Sequence, residues 1–132
     1  MGNIIRLNED ASTEKWLKMS NRGTDVFLEL LLLASESIEH TQTQKKLIDY
    51  LWNQKNVNDV APGTAGFDIE DMPWTVTTLS EDIQFLVTVT ELAKSKIIWE
   101  KIDIELEESI INPRFDMFED MLKEFMPAER AD

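Results

Sequence analysis

Apolar residues recur at helical spacing along most of this chain, and the places where that period fails are as informative as the places where it holds. Trp16, Leu17 and Met19 predict a first helix over about 12–20, opened by Ser12 or Thr13 and ended by the turn-forming run SNRG (20–23). A second helix is predicted over about 25–40 with Thr24 as its cap. Its apolar set (Val26, Phe27, Leu28 and Leu30 to Ala34) covers most of the circumference, the pattern of a helix packed against several neighbours. A third, over about 42–56, sets Leu47, Ile48, Leu51 and Trp52 on one stripe and leaves Lys45 and Lys46 outside it.

Regularity then stops. Residues 57–77, VNDVAPGTAGFDIEDMPWTVT, hold two of the four glycines and two of the four prolines, so neither a helix nor a long strand fits. The same stretch carries Val60, Phe67, Ile69, Met72 and Trp74, too many large apolar groups for a solvated linker. It is expected to be one long ordered loop, with Phe67, Ile69 and Trp74 turned inward and Asp68, Glu70 and Asp71 turned outward.

Beyond it, Thr78 and Glu81 match a capping box. Leu79, Ile83, Leu86, Val87, Ala93 and Ile97 form one apolar stripe, and Phe85, Val89, Leu92, Trp99 and Ile102 a second. Two stripes predict a central helix of roughly 28 residues touched on two sides. Asn112-Pro113 predicts the start of a last helix, about 113–126, with Phe115, Phe118, Met121, Leu122 and Phe125 on one face and Pro127 closing it. The fold class expected is all-α: a single-domain irregular bundle of about five helices with one long ordered loop.

Composition adds constraints. The 132 residues suit one domain, 42% hydrophobic and 30% charged residues describe a globular chain, and cysteine is absent. The last point removes disulfides, thiol catalysis and cysteine metal sites, and is consistent with a cytoplasmic location. MGNIIRLNED has no signal-peptide character, and the most apolar run, VFLELLLLA (26–34), contains Glu29 and is too short for a membrane span.

Charge changes the picture most. The net charge is −13, and it is uneven: residues 1–66 hold nine acids and seven bases, residues 67–132 seventeen acids and six bases. A field of that sign repels phosphate backbones and anionic lipids, so neither direct nucleic-acid binding nor membrane binding is expected.

Little of the common catalytic chemistry can be assembled. His40 is the one histidine, which leaves no room for a two-histidine metal site, and its place at the end of the second predicted helix suits favourable contact with that helix's dipole. PGTAG (62–66) lacks the lysine and hydroxyl of a phosphate loop, and DIEDMPW lacks the turn glycine of a calcium loop. No cofactor is called for. One enzymatic pattern remains: Glu36/Glu39 and Glu100/Asp103 are carboxylate pairs three residues apart, able to share a helix face and hold magnesium against a substrate's phosphates. This resembles the E-x-x-E and E-x-x-D pairs of all-α nucleoside-triphosphate pyrophosphohydrolases, with a longer gap between the pairs and no basic phosphate clamp.

The reading preferred from sequence is non-catalytic: an acidic protein that docks a basic protein partner. The surface expected for it comprises Asp68, Glu70, Asp71 and Trp74 from the loop, with Glu105, Glu107, Glu108, Asp116, Glu119 and Asp120 from the helices. Acid clusters with nearby aromatics supply steering and anchoring. Small immunity proteins and nucleic-acid mimics share this character, an analogy of composition rather than of motif.

Overall fold

Among the described residues the protein has five helices and a small three-stranded sheet, so the all-α expectation holds for most of them and fails at the sheet. A computed structural model describes residues 3–102 and 108–125. Strand β1 (Asn3–Arg6) is followed by a 3-10 turn (Thr13–Lys15), strand β2 (Leu17–Met19), helix α1 (Asn21–Glu36) and helix α2 (Gln42–Val60). Next come strand β3 (Gly66–Asp68), two 3-10 turns (Ile69–Asp71 and Val76–Thr78), helix α3 (Leu79–Ala93), the single turn α4 (Lys96–Trp99) and α5 (Glu108–Phe125). The strand order is β2-β1-β3, antiparallel between β1 and β2 and parallel between β1 and β3.

Helix α1 forms the centre. Val26, Phe27, Leu28, Leu30, Leu31 and Leu32 are all buried, and the helix packs against α2, α3, α4 and α5, as its nearly continuous apolar surface predicts. Phe27 stacks on Phe115 of α5 with ring centroids 4.6 Å apart and meets Phe118 edge-on at 5.5 Å. The buried hydrophobic residues form one cluster that takes in the sheet through Ile5, Leu17, Met19 and Phe67.

Six sequence expectations need correction. The predicted first helix is a 3-10 turn running into β2. Leu17 and Met19 are buried while Lys18 is exposed, an alternation of period two that pairs with β1 and does not wind into a helix. The cap of α1 is Ser20, whose hydroxyl accepts the Gly23 N–H at 3.0 Å. Thr24 is instead buried in a polar knot, where Asn3 donates to Thr24 Oγ1 at 2.8 Å and to Asn58 Oδ1 at 3.0 Å.

The expected capping box at Thr78 is absent: its hydroxyl accepts no backbone N–H and donates to Asp82 at 2.8 Å, and the capping box found among the described residues is Thr41/Gln44 at the start of α2. The long central helix ends at Ala93. A break at Lys94–Ser95 resets the helical phase, so Ile98 and Trp99 are buried and Ile97, predicted inward, is 71% exposed.

The last helix is already formed at Glu108, with Pro113 inside it, so Asn112 is no cap. Its side-chain oxygen accepts the Trp99 indole N–H at 3.3 Å instead. The irregular stretch is shorter than expected at its front, since α2 runs on to Val60. No helix among the described residues is long and apolar enough to cross a membrane.

Candidate functional site

Among the described residues three places gather charged groups into defined geometry; one is Lys55 of α2, with Asp25 at 2.9 Å, Asp59 at 3.6 Å and Glu29 at 3.8 Å, and the other two engage acids from the later half of the chain. The first of these two is the edge of the sheet. Parallel pairing sets Arg6 beside Asp68 in register, on the strand face opposite buried Ile5 and Phe67. Arg6 Nε donates to Asp68 Oδ1 at 2.7 Å and Nη2 to Oδ2 at 3.0 Å, a bidentate pair. That hydrogen-bonded carboxylate holds the Arg6 guanidinium above its usual range, with smaller help from Glu9 and Asp71. Trp16 lies under the guanidinium at 5.5 Å from the ring centroid and under Lys18 Nζ at 5.7 Å, and donates its indole N–H to the Ala11 carbonyl at 2.9 Å.

A cleft of about 420 Å³ opens here, lined by Ile4, Arg6 and Trp16 on one side and by Gly63, Ala65 to Asp68 and Asp71 on the other. Gly66 makes the close strand approach possible. Its φ is +132°, and a Cβ there would lie 2.5 Å from the Ile4 carbonyl oxygen. The lining presents a guanidinium already committed to Asp68, an aromatic face, and the exposed carboxylate of Asp71. Burial raises the pKa of neighbouring Tyr50, and the negative charges of Asp71 and Asp68 raise it further.

The second place is the seam between α3 and α5. Lys94 donates to Asp116 at 2.7 Å and pairs with Glu91 at 2.9 Å, and these bonds hold its ammonium well above the usual lysine range. Glu119 is only 7% exposed, and its Oε1 is buried with no hydrogen-bond partner, while Oε2 lies 3.5 Å from Lys123 Nζ. Burial, then the adjacent Glu91 carboxylate, raises the Glu119 pKa. The Lys94 bond lowers that of Glu91. A proton bound by this pair therefore rests on Glu119.

The surface residues expected from sequence thus divide. Asp68 is engaged by Arg6, Asp116 by Lys94, and Glu119 is buried. Trp74 is half-buried, tilted against Phe125 at 5.3 Å and donating its indole N–H to the Ile69 carbonyl at 2.8 Å. Glu70, Asp71, Glu108 and Asp120 are exposed and form no ion pair with a described residue. Glu105 and Glu107 lie outside the described residues.

For the magnesium pattern, Glu36 is the last residue of α1, so Glu39 falls in the following loop and the two do not share a helix face. Glu100 follows the end of α4, and Asp103 lies outside the described residues. No group of three or more His, Asp or Glu is placed to hold a metal ion among the described residues. His40 is exposed, with Nδ1 3.1 Å from the Ile38 carbonyl oxygen and its ring 6.1 Å from that of Phe85.

Sequence reasoning missed Arg6 and Lys94 as organising cations. Each works across a long separation, 62 residues for Arg6–Asp68 and 22 for Lys94–Asp116, and leaves no local spacing to read. Comparison with protein-family models, with curated proteins and with solved structures finds no match to this chain.

Proposed function

We propose that this is a non-catalytic, cytoplasmic interaction protein whose acidic face binds a basic protein partner, in the manner of an immunity or inhibitor protein. The observation that carries the reading is the split among its acids. The half of the chain from residue 67 onward holds eleven more acids than bases, and the fold engages only some of them. Glu70, Asp71, Glu108 and Asp120 are exposed and form no ion pair with a described residue, although Asp71 shares the cleft lining with Arg6. Uncompensated surface carboxylates give long-range attraction to a positive partner, which raises association rates more than intrinsic affinity. The engaged acids have a different part: Asp68 fixes the loop that carries Glu70 and Asp71, and Asp116 joins α5 to Lys94 at the end of α3.

Affinity capture from the native host tests the reading, with washes at low and high salt. A basic protein retained near one-to-one at low salt and released at high salt is the expected result. The capture must fail with Glu70→Gln, Asp71→Asn, Glu108→Gln and Asp120→Asn combined. Absence of any basic protein at low salt, or equal retention by the neutralised variant, overturns it.

A further inference from the structure

The outer face of α2 is unlike the rest of the surface. Lys45, Asp49, Trp52, Asn56 and Asp59 follow one another at intervals of four, three, four and three residues, the spacing of a helix–helix seam, and all five are exposed. Trp52 is 41% exposed at the middle of the helix and Val60 is 86% exposed at its end. Beside Val60 a wholly apolar hollow of about 360 Å³ is lined by Asn56, Val57, Val60 and Ala61. The opposite face, with Leu47, Ile48 and Leu51, supplies the core, so no internal packing duty explains an outward tryptophan. Helix α2 holds three lysines against two aspartates. Among the helices longer than one turn it is the one with a net positive charge, although the outward row itself carries one lysine and two aspartates, so what favours a second copy is the pairing of unlike charges and not a positive face.

We infer that α2 is a self-association surface, on which a second copy of this chain packs its own α2 antiparallel about a two-fold axis at Trp52. The charges select that direction. Lys45 and Asp59 stand seven residues to either side of Trp52, each about 10 Å away along the helix. An antiparallel pair centred on Trp52 therefore sets each Lys45 beside Asp59 of the other copy, whereas a parallel pair opposes lysine to lysine and aspartate to aspartate. The hollow next to Asp59 takes the aliphatic stem of the incoming Lys45, and the two Trp52 rings meet at the axis. In the single chain Lys45 pairs with Asp49 at 3.0 Å in exposed geometry from which it can be shared, and Asp59, itself about half exposed, lies 3.6 Å from Lys55, a mostly buried side chain bonded to Asp25 at 2.9 Å. A seam about 21 Å long is small for a protein interface, so the dimer is weak and depends on concentration. This surface is separate from the acids assigned to a basic partner, and it stands or falls independently of that reading.

Sedimentation equilibrium of the full chain over a wide concentration range tests it, with circular dichroism confirming the fold of each variant. A monomer–dimer equilibrium is expected, weakened about tenfold or more by Trp52→Ala. Lys45→Asp and Asp59→Lys each weaken it, and the two together restore it, since the register is preserved with the charges exchanged. A purely monomeric chain at roughly 500 µM overturns the inference. So does a dimer indifferent to Trp52→Ala, or a double charge exchange that fails to recover association.

Discussion

The sheet edge and the α3–α5 seam both bring acids against cations, and they end in opposite electrostatic states. At the sheet edge one carboxylate meets one guanidinium through two parallel hydrogen bonds, and the aspartate is satisfied. At the seam three carboxylates, Glu91, Asp116 and Glu119, compete for Lys94 and the more distant Lys123. The competition leaves Glu119 buried with a raised pKa and an unpartnered oxygen. An acid's contribution thus depends on the cations the fold brings to it and not on its own type. The same residue class anchors one region and strains the other.

The largest expected effect breaks the satisfied region. Gly66→Ala drives a methyl group into the Ile4 carbonyl at a backbone angle that L-residues rarely adopt, and should cost about 3 kcal/mol in urea unfolding. The Arg6–Asp68 geometry depends on that close approach, so the variant should also lose the cleft. Asp68→Asn removes half of the charge-assisted pair. Arg6 is partly exposed, so the loss should be smaller than that of Gly66→Ala, and a double-mutant cycle with Arg6→Gln should return most of it as coupling.

The strained region should respond with the opposite sign. A carboxyl group whose folded pKa is raised stabilises the fold most below its unfolded value, near 4.5, and withdraws that support as pH climbs through the folded pKa. Glu119→Gln removes the buried charge. It should match the parent near pH 4 and exceed it near neutrality by up to about 1 kcal/mol, a rise in Tm of about 4 °C. A neutral-pH loss of stability in this variant would erase the contrast between the two regions.

Much of the helical frame is legible in the chain. The all-round apolar character of residues 26–34 announces a central helix, and α1 is that helix. The sheet is not legible, because β1 and β2 are four and three residues long and their alternation looks like a single helical turn. Thr41 and Gln44 carried a capping-box signature as plainly as Thr78 and Glu81 did. Only the surroundings of Asp82, which takes the Thr78 hydroxyl, distinguish them. Of the loop residues expected to face inward, Phe67 and Ile69 are buried and Trp74 is half-buried, whereas Val60, counted with them as an apolar residue of an ordered loop, ends α2 and is 86% exposed. Which acids stay uncommitted was not readable, because the cations that claim Asp68 and Asp116 come from distant parts of the sequence.

The smallest effect on stability bears on the central claim. Neutralising Glu70, Asp71 and Asp120 should shift unfolding by no more than about 0.5 kcal/mol, since each is exposed and unpaired among the described residues. The direct measurement is salt-dependent capture of the basic partner by this variant, set beside one in which the engaged, exposed acids Asp49 and Asp116 are changed to asparagine. Loss of binding in the first with retention in the second is the predicted result. Equal retention by both, or loss only when Asp49 and Asp116 are changed, would contradict it.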